Sequence, residues 1–168
     1  MANIIEHIDV PLAPSSAFDY VADFTTTAVW DPMIRSSERV DEGPLRVGSS
    51  FAVTLSLGSG ERTIPMVYTV TALDAPHRIV LETRGWWYFG RDDIGVAPGA
   101  TPTSSRVRWD ATFALRGPLA LLDPLLARGF RGVAAKAVAG LARELTALAG
   151  AGHDGQDEHD GSTEEVGR

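Results

Sequence analysis

Carboxylates, phenols and indoles that alternate onto one face of consecutive strands are the groups in this chain whose type and spacing could do chemistry. Glu6 shares strand parity with Ile4, Ile8 and Val10, which places a carboxylate among apolar neighbours. Such a group is paired, held protonated or open to a cavity, unless a bulge or the strand end turns it to solvent. Tyr68 and Trp109 also alternate inward. Each offers a flat apolar face and one hydrogen-bond donor, which suits a ring-shaped or lipid-like ligand and equally suits plain core packing. In the run Trp86-Trp87-Tyr88-Phe89, alternation sends Trp86 and Tyr88 one way and Trp87 and Phe89 the other. All four cannot enter one core, so some are expected at a cavity mouth, as a ligand or partner contact, or in a packed hairpin corner. Asp92 shares parity with Tyr88 and so faces the same side, although Asp92-Asp93 also reads as a turn or a solvated pair. Glu6, Tyr68, Arg84 and Asp92 are the nominees for proton transfer.

Other chemistries have less to draw on. Of the four histidines, His153 and His159 lie in an acidic C-terminal stretch, His7 alternates outward and His77 follows a turn proline. Neither His7 nor His77 has a Ser partner nearby in sequence, and with no Cys present, thiolate catalysis, disulfides and Cys-ligated metals drop out. There is no glycine-rich nucleotide loop and no metal-binding His-Glu motif, so no cofactor is indicated.

The elements that must position these groups follow from periodicity. Asn3 to Leu12 alternates as a half-buried strand. Pro14-Ser15-Ser16 ends it, and Ser15 or Ser16 can cap a short helix carrying Ala17, Phe18, Val21 and Ala22; a further helical turn is expected around Ala28 to Met33. Strands then follow at hairpin spacing: a short one at Glu38 to Val40, then Phe51 to Leu57, Ile64 to Val70 and Arg78 to Arg84, with Gly58-Ser59-Gly60 and Asp74-Ala75-Pro76 as turns. The aromatic run comes next, and after the loop from Pro98 to Ser105 a last strand puts Val107, Trp109, Ala111, Phe113 and Leu115 on one side. Consecutive strands without intervening helices mean an antiparallel sheet. Asp123-Pro124 reads as the cap and first position of a long helix to about Ala149, whose apolar stripe is Leu126, Phe130, Val133, Ala137, Leu141, Leu145 and Leu148.

The chain has 168 residues and a formal charge of -7, and it splits into a domain over 1–149 and an acidic stretch over 150–168. That stretch is so poor in aliphatic residues that it is expected to be disordered. The body is nearly neutral, which argues against a generic nucleic-acid binder. No signal-like N-terminus and no long apolar segment appear, so the expectation is a cytoplasmic protein without integral membrane association.

Several residue groups, in this order, resemble the START-like, Bet v 1-like (SRPBCC) superfamily and its polyketide cyclase/dehydrase-like branch. They are His7-Ile8-Asp9-Val10-Pro11, Pro14 to Asp23, Trp30-Asp31-Pro32, Gly43-Pro44 with Val47-Gly48, Tyr68 to Leu73 with Ala75-Pro76-His77-Arg78, and Gly117-Pro118-Leu119. The loop before the last strand departs from the Gly-Gly-Thr turn usual in such proteins. The resemblance implies an α+β helix-grip fold, a curved antiparallel sheet of about seven strands around the long C-terminal helix, with two short helices after the first strand. It also implies a cavity between sheet and helix that binds a hydrophobic small molecule such as a lipid, polyketide or sterol-like compound. The alternative it implies is a cyclase/dehydrase-type enzyme acting on a polyketide-like substrate in the same space. The residues expected to line that space are Phe51, Met66, Tyr68, Trp109, Phe130 and Ala137, with Trp86 or Tyr88 near its mouth and Glu6 and Asp92 as its carboxylates.

Overall fold

The computed structural model describes residues 1–57 and 62–154; for Leu57, 125–127, Phe130, Arg131 and 152–154 the description is of backbone only. The turn expected at Gly58-Ser59-Gly60 lies outside the described residues, as does the chain after Asp154.

The described strands are β1 (Ala2–Val10), β2 (Ile34–Arg39), β3 (Ser50–Leu57), β4 (Arg62–Asp74), β5 (Arg78–Arg84), β6 (Tyr88–Pro98) and β7 (Ser105–Leu115). They form one antiparallel sheet in the order β1-β7-β6-β5-β4-β3-β2. Between β1 and β2 lie helix α1 (Pro14–Ala22), a 3-10 turn at Phe24–Thr26 and the single-turn helix α2 (Thr27–Trp30). Helix α3 (Asp123–Asp154) closes the chain's described part; its 32 residues span about 48 Å at the α-helical rise.

Alternation explains which sheet face is covered. Ile4, Ile8 and Val10 of β1, Phe51 and Val53 of β3, Met66 and Val70 of β4, and Val107, Trp109 and Ala111 of β7 are buried on it. On β5 the strict period fails, because Ile79, Val80 and Leu81 are all buried where the β4–β5 pairing slips between Val70 and Ala72. From the helix side, Ala134, Ala137, Leu141 and Leu145 are buried, whereas Leu148, at the end of the predicted stripe, is 42% exposed.

Three local expectations are revised. Pro14 occupies the first turn of α1, so Ala13 is the flanking residue and Ser15 and Ser16 sit exposed inside the helix instead of capping it. Asp123 already has helical dihedrals, and its carboxylate accepts the Leu115 backbone N–H at 3.0 Å. It therefore ties the end of β7 to the start of α3 instead of capping the helix. The helix also passes Ala149 to Asp154, because Gly150 weakens a helix by about 1 kcal/mol relative to Ala without terminating it.

Gly140 fixes where α3 lies. A Cβ there would stand 2.1 Å from the carbonyl oxygen of Trp30, so the helix backbone rests directly on the end of α2. Trp30 continues the contact inward, meeting Trp109 edge-to-face with ring centroids 5.5 Å apart.

Candidate functional site

A cavity of about 280 Å³ lies between the sheet and the N-terminal half of α3. Its walls come from every strand between β2 and β7 except β5, and its roof is Val133, Ala134 and Ala137 of α3. Small residues on the helix and large ones on the sheet leave this space, because the backbone contact at Gly140 stops α3 from settling further. The lining is apolar and aromatic, including Met33, Leu55, Ile64, Met66, Trp87, Phe113 and Leu115, and the polar exceptions are Asp31, Tyr68, Asp92, Thr112 and the indole N–H of Trp109.

Those polar groups are organised around Asp92. Its residue is 8% exposed, and one carboxyl oxygen accepts the Trp109 indole N–H at 2.8 Å. Burial pushes the Asp92 carboxyl up to about 7; the Trp109 bond opposes the rise, the negative charge of Asp31 adds to it, and the Tyr68 hydroxyl opposes it. Asp31, directly after α2, is close enough for its charge to act on both Asp92 and Tyr68; its carboxylate accepts the Met33 N–H at 2.8 Å, and burial raises its carboxyl against that bond. The Tyr68 phenol is pushed well above its usual range by burial and by the two carboxylates beside it. The arrangement can hold a proton near neutrality, or donate and accept hydrogen bonds, at one end of an otherwise apolar space.

Of the residues singled out in the sequence, Met66, Tyr68, Asp92, Trp109 and Ala137 meet around this cavity. Phe130 carries backbone only in the description. Four others lie elsewhere. Phe51 has the right parity but packs under the 3-10 turn, with its ring 5.8 Å from Phe24, because the curved sheet carries that part of β3 beneath α1 instead of α3. Glu6 stands opposite Trp109 on β1, half-buried, without bordering the cavity. Trp86 is 88% exposed. Tyr88 is buried but spends its ring on Phe113, stacked at 6.0 Å, and on Trp87 at 4.7 Å.

The misplacement of the tryptophans has a local cause. Gly85 donates its N–H to the Tyr88 carbonyl at 3.0 Å, so Trp86 and Trp87 occupy a tight turn in which strand parity does not operate. A Cβ on Gly85 would meet the Tyr88 ring at 2.2 Å, so glycine lets that ring pack directly against the turn. Trp87 is thereby turned into the cavity and Trp86 out to solvent. Arg84 is outside as well, bound to Glu82 at 2.8 Å and lying over Phe89. In the sequence Asp31 stands out only as part of Trp30-Asp31-Pro32, and no local signal marks it as a cavity residue.

A family model described as polyketide cyclase / dehydrase and lipid transport matches residues 1–146. The chain belongs to that family. Members of it are expected to share the helix-grip architecture, and solved structures bear this out for the present chain. A START superfamily protein from Mycobacterium smegmatis superposes with a TM-score of 0.68 at 12% identity, covering 88% of this chain and 99% of that one. TTHA0849 from Thermus thermophilus does so with a TM-score of 0.70 at 14% identity, covering 87% and 98%. These likenesses are of fold. No curated protein matches the chain. Among the described residues, no helix is long and apolar enough to cross a membrane, and no group of three His, Cys, Asp or Glu is placed to hold a metal ion.

Proposed function

We propose that the cavity binds a hydrophobic small molecule, lipid-, polyketide- or sterol-like, between the sheet and α3. The observation that carries this reading is the space itself: about 280 Å³ walled by Met, Leu, Ile, Phe and Trp side chains, with polar groups gathered at Asp92. Sites of this construction gain affinity from apolar burial and orientation from a few convergent polar groups. A neutral environment-sensitive dye such as Nile red should bind saturably, near one per chain. Ala137→Trp, which fills the roof, should abolish that binding in a protein that still folds. A folded protein showing no saturable binding of the dye, fatty acids, sterols or aromatic polyketides would overturn the reading.

The second reading, a cyclase/dehydrase-type enzyme acting on a polyketide-like substrate, has one observation in its favour. Asp92, with its carboxyl near 7, borders the cavity beside Tyr68. As carboxylate it could take a proton from the carbon between a carbonyl and the hydroxyl-bearing carbon, while the Tyr68 hydroxyl donates to the carbonyl oxygen that gathers charge; the C–H electrons then form the C=C bond as the C–O bond breaks. The carboxylic acid so formed could then return that proton to a departing hydroxyl, which leaves as water. Incubation with a β-hydroxy ketone thioester should give the dehydrated product, and Asp92→Asn should slow it by about 100-fold or more. Equal turnover by the variant would remove Asp92 from this role.

A further inference from the structure

The charges around the cavity restrict what it can hold, provided that it is a ligand site as proposed above. Its ionisable lining groups are Asp31, Asp92 and the Tyr68 phenol, and among the described residues no Lys, Arg or His borders it. The arginines closest to Asp92 along the sheet point to the opposite face: Arg78 and Arg91 bind Asp93 at 2.7 and 3.0 Å, and Arg108 binds Asp110 at 2.7 Å. Among the described residues, Asp92 meets the Trp109 N–H and the neighbouring Tyr68 hydroxyl, and Asp31 the Met33 N–H. Two carboxyl groups thus share an apolar space with hydrogen-bond donors and, among the described residues, no counter-ion. Each is costly to ionise alone, and a positive charge placed beside them offsets that cost. The aromatic side chains lining the same cavity, Tyr68, Trp87, Trp109 and Phe113, supply further π surface that favours a cation in a desolvated site.

We propose that this cavity selects a hydrophobic amine, with its protonated nitrogen at the Asp31 and Asp92 end and its apolar body against Ile64, Met66 and the roof of α3. A fatty acid or any other apolar carboxylate brings the wrong sign to that end. A neutral molecule of the same shape gains the apolar contacts alone.

The test is a matched series of fluorescent probes, naphthylethylamine, naphthylethanol and naphthylacetate, titrated into the full chain at about pH 8, where the amine is still cationic. The amine should bind at least tenfold more tightly than the alcohol, a difference of about 1.4 kcal/mol, and the acetate more weakly than both. Asp92→Asn should bring the ratio of amine to alcohol affinity close to one. Asp110→Asn, on the outer face of β7, should leave the ratio as it is. Should Asp92→Asn fail to fold, Asp31→Asn is the substitute and should reduce the ratio severalfold. Calorimetry at about pH 6, where Asp92 still holds most of its proton, in buffers of different ionisation enthalpy should show protons released when the amine binds and none with the alcohol. If the alcohol binds as tightly as the amine, or the acetate binds best, the amine inference is wrong while the cavity remains a ligand site. If no probe binds, both fall.

Discussion

Replacing Asp92 by asparagine isolates the free energy stored in one buried carboxyl. In the folded chain that carboxyl is raised from 3.8 to about 7, chiefly by burial. Above about pH 4 the unfolded chain releases this proton and the folded chain keeps it, so ionising Asp92 in place costs stability. Its favourable protonated state is fully present below the unfolded value and is lost as pH rises toward 7, beyond which the loss is complete. Three pH units at about 1.4 kcal/mol each give a loss of up to about 4 kcal/mol between pH 4 and 8. Asparagine keeps an oxygen to accept the Trp109 N–H, 2.8 Å away in the native pair, and cannot ionise. The carboxyls of Asp9, Asp41, Asp93 and Asp123 are lowered instead, so they stabilise the fold as pH rises through the acid range, but they are common to both proteins and cancel in the difference. Urea unfolding followed by tryptophan fluorescence at half-unit steps from about pH 4 to 8 should show the variant gaining on the native protein by several kcal/mol across that interval. A stability difference that stays constant with pH would refute the claim that Asp92 is held protonated by burial.

Two packing predictions test how α3 is seated. Gly140→Ala forces a methyl group into the Trp30 carbonyl, so the helix must lift and stability should fall by about 1–3 kcal/mol in urea titrations; an unchanged midpoint would mean that α3 does not rest on α2. Leu141→Ala removes a side chain that is 1% exposed and should cost about 2–5 kcal/mol by the same measurement, with a cost below about 0.5 kcal/mol contradicting its burial.

The fold was legible because its determinants are local. Period-two runs, hairpin spacing and one long amphipathic segment suffice to order the elements, and the side chains of Ala137, Leu141 and Leu145 fall inward as the stripe requires. The candidate site was legible only where strand parity holds without interruption. Tyr68, Met66 and Trp109 sit in uninterrupted ladders and arrive where alternation sends them. Trp86 and Trp87 sit in a turn, where the direction of a side chain depends on backbone dihedrals that the sequence pattern does not encode. Phe51 failed for a different reason: parity assigns a face, but the curvature of the sheet decides which helix covers each part of that face. Asp31 is the hardest case, since its surroundings are made by residues remote in the chain, and only the closing of β2 and α3 around it turns a helix-ending aspartate into a cavity wall.

The seating of Gly140 on Trp30 has a consequence for how this protein could come to accept different guests. With the helix backbone locked against α2, the roof cannot rise or slide to suit a larger molecule without breaking a contact between two main chains. Among the described residues of α3, the side chains of Val133, Ala134 and Ala137 therefore set how much room the roof leaves. Substitutions there would trade volume for selectivity while the scaffold stayed as it is, and two proteins with superimposable backbones could differ entirely in what they carry.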